Sequence, residues 1–74
     1  MKRYGNQHGR SGIVAYATTP TSIIVRFVNG DLYEYSHRKP GRAIVDRMKK
    51  LAAAGRGLST FISQTVQGNY ARRL

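Results

Sequence analysis

Apolar and polar positions along the chain change period twice. From residue 13, Ile13-Val14-Ala15-Tyr16-Ala17-Thr18 is apolar and partly β-branched, and it stops at the turn sequence Thr19-Pro20-Thr21-Ser22. Ile23-Ile24-Val25-Arg26-Phe27-Val28 is the strongest strand signal in the chain. Asn29-Gly30 and then Asp31-Leu32-Tyr33-Glu34-Tyr35 follow it. Asn-Gly between two such runs is a strong hairpin signal. Its register has two solutions. A two-residue loop pairs Phe27 with Leu32 and sets Leu32 and Glu34 on the face of Ile23, Val25 and Phe27. A three-residue loop with a glycine bulge pairs Phe27 with Asp31 and sets Tyr33 and Tyr35 there instead. The second keeps Glu34 out of the core and is favoured; the tyrosines are then core residues with hydroxyls at the rim.

Beyond residue 40 the period becomes helical. Pro40 suits a first turn, residues 43–54 read as a helix, and Gly55 is a natural stop. At ~100° per residue, Ile44, Val45, Met48, Leu51 and Ala52 form one apolar stripe, with Arg42, Lys49 and Lys50 opposite, Asp46 among them and Arg47 at the edge. Ser59 is a good N-cap for a shorter helix over 60–67, with Phe61, Ile62 and Val66 apolar and Gly68-Asn69 ending it. Tyr70 packs back onto the domain. The expected fold is α+β: a three-stranded antiparallel β-meander with two C-terminal helices packed on one face, βββαα. One domain spans 13–70. Residues 1–12, polar and glycine-rich with no apolar period, read as a mobile basic arm, and 71–74 as a basic tail.

Composition changes this picture in one respect, its charge. The 74 residues carry thirteen Lys and Arg against three acids, a formal charge of +10, and no cysteine. Disulfides and cysteine-ligated metals are excluded, and three acids make a carboxylate metal site or a paired-carboxylate active site improbable. The charge is uneven. Residues 1–12 hold three cations and no acid, 13–37 one cation and two acids, and 38–74 nine cations and one acid. A density of this kind points first to nucleic acid, second to an anionic membrane surface, and otherwise to solubility alone. No apolar segment follows Met1-Lys2-Arg3 as in a secretory leader, and the longest apolar run is too short to span a bilayer, so a cytoplasmic protein without membrane attachment is expected.

The run from 13 to 70 resembles the KTSC domain, a short module found at the C-terminus of some lysyl-tRNA synthetases and as a stand-alone bacterial protein. The resemblance lies in Ser11-Gly12-Ile13 leading into a strand that ends at Tyr16. It continues in the aliphatic-x-Phe…Gly…Tyr-x-Tyr core of Val25, Phe27, Gly30, Tyr33 and Tyr35, in Pro40 before a helix ending near Gly55, and in the closing spacing of Phe61, Val66 and Tyr70. Gly57-Leu58-Ser59 departs as a longer turn, and Ser63 stands where the family often has Asn. The resemblance implies the fold, and it implies tRNA-related company for the basic surface.

Enzymatic readings fare badly. Ser36 and His37 are neighbours on a strand and point to opposite faces, so spacing alone cannot pair them for nucleophilic catalysis. His37 reads as a surface loop residue, and His8 lies in the expected arm. Gly55-Arg56-Gly57 reads as a helix stop and turn, or as anion capture at the next helix N-terminus. The expected function is therefore a non-enzymatic module without cofactor or metal. It would bind nucleic acid, RNA in preference to DNA, through Arg38, Lys39, Arg42, Arg47, Lys49, Lys50 and Arg56, with Arg72 and Arg73 adding mobile charge. The alternative is a protein-interaction or self-associating module, a weak homodimer pairing through a sheet edge at Ile13-Val14, with the basic face serving solubility.

Overall fold

The computed structural model describes residues 1–5 and 12–74. It is α+β, with a five-stranded antiparallel sheet in the simple order β1-β2-β3-β4-β5. The strands are β1 (Lys2–Arg3), β2 (Ile13–Thr19), β3 (Ser22–Phe27), β4 (Leu32–Ser36) and β5 (Arg72–Arg73). Between β4 and β5 lie α1 (Arg42–Ala54) and α2 (Leu58–Phe61), the latter running on as a π-helical turn over Ile62–Val66.

The meander of β2, β3 and β4 is the expected one, in the three-residue-loop register. Ile23 faces Tyr35, Val25 faces Tyr33, and the Phe27 N–H donates to the Asp31 carbonyl at 2.9 Å. Gly30 takes φ 94°, the left-handed conformation that a glycine-bulge loop needs and that side chains resist. Asn29 adds an Asx-type turn, its Oδ1 accepting the Asp31 N–H at 3.0 Å. One face of the sheet thus presents Tyr4, Tyr16, Ile23, Val25 and Tyr35 to Val45, Met48 and Ala52 of α1 and to Leu58, Ile62 and Val66 of α2 and its π turn, all buried in one cluster. Burial pushes the Tyr35 hydroxyl up to about 12, and neighbouring Tyr33 and Tyr70 add to the effect.

Three strands become five because both ends of the chain join the sheet, and this corrects the reading of residues 1–12 as an arm and 71–74 as a tail. At the front, Lys2 pairs with Tyr16 and Arg3 with Ala15, and the Tyr4 N–H donates to the Val14 carbonyl at 2.9 Å. Tyr4 is only 3% exposed. Its ring supplies the apolar burial that holds so short a strand in place, and its Oη accepts the Leu58 N–H at 3.1 Å. Gly5 lies so close to Gly55 that a Cβ built on it would stand 3.0 Å from the Gly55 Cα. The remainder of the expected arm, 6–11, lies outside the described residues. At the other end, Arg73 pairs with Tyr33 and Arg72 with Glu34, extended by the Leu74 N–H donating to the Leu32 carbonyl at 2.8 Å.

The helices differ from expectation at their starts. Pro40 lies in the loop before α1 rather than in its first turn, and Gly41 occupies the N-cap position. The second helix begins at Leu58, not near residue 60, with Gly57 rather than Ser59 at its N-cap. Leu58 is wholly buried and anchors that start. Gly55 ends α1 as expected, at φ 77° with its N–H shared between the Leu51 and Ala52 carbonyls.

Candidate nucleic-acid interface

The apolar stripe of α1 decides where its charges go. With Val45, Met48 and Ala52 buried against the sheet and Ile44 and Leu51 half-buried beside them, Arg42, Asp46, Arg47 and Lys50 are left exposed. Arg47 and Lys50 are one turn apart on that face, and among the described residues no acid pairs with either. Arg38 and Lys39 are exposed in the loop before the helix, and Arg56 is exposed in the turn after it. These five exposed cations lie on the outside of α1 and at its two ends.

The other expected site residues part from this group. Lys49 lies on the flank of α1 nearest β2, half-buried, with its Nζ donating to the Thr19 carbonyl at 2.7 Å. Arg42 sits 3.7 Å from one oxygen of Asp46, while His37 Nε2 stands 3.7 Å from the other. His37 is therefore not a plain surface residue: its side chain is 26% exposed, and its Nε2 is buried without a hydrogen-bond partner.

Arg72 and Arg73 are not mobile charge. The Arg72 Nε lies 2.6 Å from Glu34 Oε1, and the Ser22 hydroxyl donates to Glu34 Oε2 at 3.1 Å. Ser22 is buried and shares a second hydrogen bond with the Thr19 hydroxyl at 2.7 Å, so a polar chain crosses β2 through β5 on the face opposite the main core cluster. The Arg72 hydrogen bond holds the Glu34 carboxyl below its ordinary range, against partial desolvation that pushes it up. The Arg73 Nη2 meets Asp31 Oδ1 at 2.9 Å, and its guanidinium lies 5.8 Å from the centre of the Tyr33 ring. Asp31 hydrogen-bonded to it raises the pKa of Arg73. Among the described residues, all three acids of the chain are thus paired with cations.

Three further expectations meet the geometry. Tyr33 and Tyr35 do not form an exposed stacking surface beside Arg26. Tyr35 is buried, and Tyr33 is half-buried between Phe27, at 5.5 Å edge-on, and Tyr70, at 4.7 Å, on the face away from Arg26. Tyr70 packs back as expected. Of the backbone donors expected to capture an anion at the start of α2, the Leu58 N–H is donated to the Tyr4 hydroxyl inside the core. The edge at Val14 is taken up in part, since its carbonyl accepts the Tyr4 N–H and β1 pairs with the next two residues, Ala15 and Tyr16. Among the described residues, no three His, Asp or Glu side chains gather as metal ligands, and no helix is long and apolar enough to cross a membrane.

No known protein family, no characterised protein and no solved structure matches the chain in comparison.

Proposed function

We propose that the chain is a non-enzymatic nucleic-acid-binding module, with RNA preferred, that contacts phosphates through Arg47 and Lys50 of α1 and through Arg38, Lys39 and Arg56 at its ends. One observation carries the reading. The three acids are engaged at the β4–β5 edge and on α1, so among the described residues none is paired with these five outer cations. Such a surface repels itself unless a polyanion lies on it. Phosphate contacts position a strand without reading its sequence. The preference for RNA rests on the KTSC-like pattern with its tRNA-related company, and on the lack of a helix-turn-helix pattern.

Anisotropy of a labelled single-stranded RNA at two salt concentrations tests it. Affinity falls steeply with salt, and the double variant Arg47→Gln with Lys50→Gln lowers the slope of log K against log salt by about 1.4, since each phosphate on a single strand contributes about 0.7. Both side chains are exposed, so the variant keeps the parent's circular dichroism spectrum and melting curve. Absence of RNA and DNA binding at low salt sinks the proposal.

A further inference from the structure

The strand β1 is too short to cover the whole edge of β2. It pairs with Ala15 and Tyr16 and then ends, while β2 runs on through Ala17, Thr18 and Thr19. The flank of α1 passes the same place. Between them opens a groove of about 650 Å³ whose walls include Lys2, Tyr16, Ala17, Thr18, Lys49 and Ala53. That volume is within the ordinary range for small-ligand sites.

The chemistry of the groove is specific. Its lining residues include two lysines and no acid. Asp46, the single acid of α1, is turned toward Arg42 and His37 instead. Lys49 Nζ is held in place by the Thr19 carbonyl, and of its three donors that bond uses one, leaving two for a ligand. Thr18 is exposed and offers a hydroxyl donor. The rest of the lining is different in kind: Met1, Tyr16 and Ala53 leave a shallow apolar floor. One end therefore suits a dianionic head, and the remainder suits a flat, largely apolar body.

We propose that this groove binds a phosphomonoester carried on a flat body, a nucleoside monophosphate being the representative ligand. The phosphate lies between Lys2 and Lys49 with the Thr18 hydroxyl donating to it, and the base lies over Met1 and Ala53. This ligand has two sources: a free mononucleotide, or the terminal nucleotide of a strand lying along α1. Only the second rests on the function proposed above, because Lys49 faces β2 and not the outer run of cations.

Amide chemical shifts of the full chain, titrated with AMP, adenosine and inorganic phosphate, test the site. AMP shifts the amides of Ala17, Thr18, Lys49 and Ala53. Adenosine and inorganic phosphate each bind at least about tenfold more weakly than AMP. Lys49→Gln weakens AMP about tenfold, and Lys2→Gln, at an exposed position that leaves the fold intact, does the same. Arg47→Gln with Lys50→Gln leaves AMP binding unchanged. RNA oligomers with and without a 5′-phosphate separate the sources: a preference for the phosphorylated end that Lys49→Gln abolishes assigns the strand terminus, and equal binding assigns the free nucleotide. AMP binding without RNA binding refutes the proposed function and keeps the groove. Silence of these four amides at millimolar AMP, or equal AMP affinity in the parent, Lys2→Gln and Lys49→Gln, overturns the site while leaving the function standing.

Discussion

Two sets of arginines and lysines in this chain look alike in composition and do opposite things. Arg72 and Arg73 at the β5 edge each meet a carboxylate, at 2.6 and 2.9 Å, and the strand they form closes one side of the sheet. Arg47 and Lys50 on α1 meet no acid and lie over a buried stripe that keeps them turned outward. The difference lies in the neighbours. β4 supplies Asp31 and Glu34 to the strand beside it, whereas α1 supplies one acid, which Arg42 and His37 already occupy. A basic residue on a sheet edge next to acids is a structural element; the same residue on an acid-poor helix face is available surface. Short edge strands carrying Lys2, Arg3, Arg72 and Arg73 also make poor templates for pairing with another chain, which weighs against association through the edges.

The contrast breaks most severely at β1. Tyr4→Ala removes the buried side chain that follows that strand and leaves the Leu58 N–H without its partner. It costs about 3–5 kcal/mol, a large part of what so small a domain possesses, measured by urea unfolding. Were residues 2–5 a free arm, the change would fall within about 0.5 kcal/mol of zero. A milder cut at the same place is Tyr4→Phe, which keeps the ring and deletes the hydroxyl. It costs about 1–3 kcal/mol, the price of a buried donor left unsatisfied. Neither variant changes the RNA affinity of the folded fraction, since Tyr4 lies in the core and not on the α1 surface.

A smaller change sharpens the contrast from the other side. Arg72→Gln lowers the melting temperature by a few degrees or less, as expected for a partly exposed ion pair, and leaves RNA affinity within a factor of two. Arg47→Gln has the reverse profile, unchanged melting and weakened, less salt-dependent binding. A result in which both variants reduce affinity equally erases the distinction between the edge and the helix face.

What was readable in the residues, and what was not, follows from the range of the forces involved. The hairpin register follows from one burial argument about Glu34, and α1 follows from its own period and from Gly55, all local signals. β1 and β5 have two residues each and no period to detect; they exist because Tyr4 finds the core and because Arg72 reaches Glu34, 38 positions away. Lys49 read as one more member of a basic face. Its side chain instead follows a carbonyl 30 positions earlier in the chain. Leu58 read as part of a break because a helix start capped by a tyrosine hydroxyl from residue 4 has no sequence signature. The run on α1 was legible in outline, and the pairings that subtract Arg72 and Arg73 from it were not.

The smallest expected effect is a pH dependence confined to the β5 edge. The Glu34 carboxyl is held below its ordinary value of 4.5 in the folded chain, chiefly by the Arg72 hydrogen bond and further by Ser22 and the Arg72 charge, while partial desolvation works the other way. In the unfolded chain it titrates at its ordinary value, so the folded state binds fewer protons at mildly acid pH. Its contribution to stability is complete above that value and is lost as pH falls through the lowered folded one. The comparison of variants matters more here than the curve of the parent alone. Between pH 6 and pH 3, Glu34→Gln starts less stable than the parent and loses less on acidification, and Arg72→Gln flattens the curve in the same way. Arg47→Gln with Lys50→Gln, touching no carboxylate, follows the parent throughout. Coincident acid limbs for the parent and Glu34→Gln would show that the β4–β5 pairing contributes nothing to the fold, and Arg72 would then count among the free cations like those of α1.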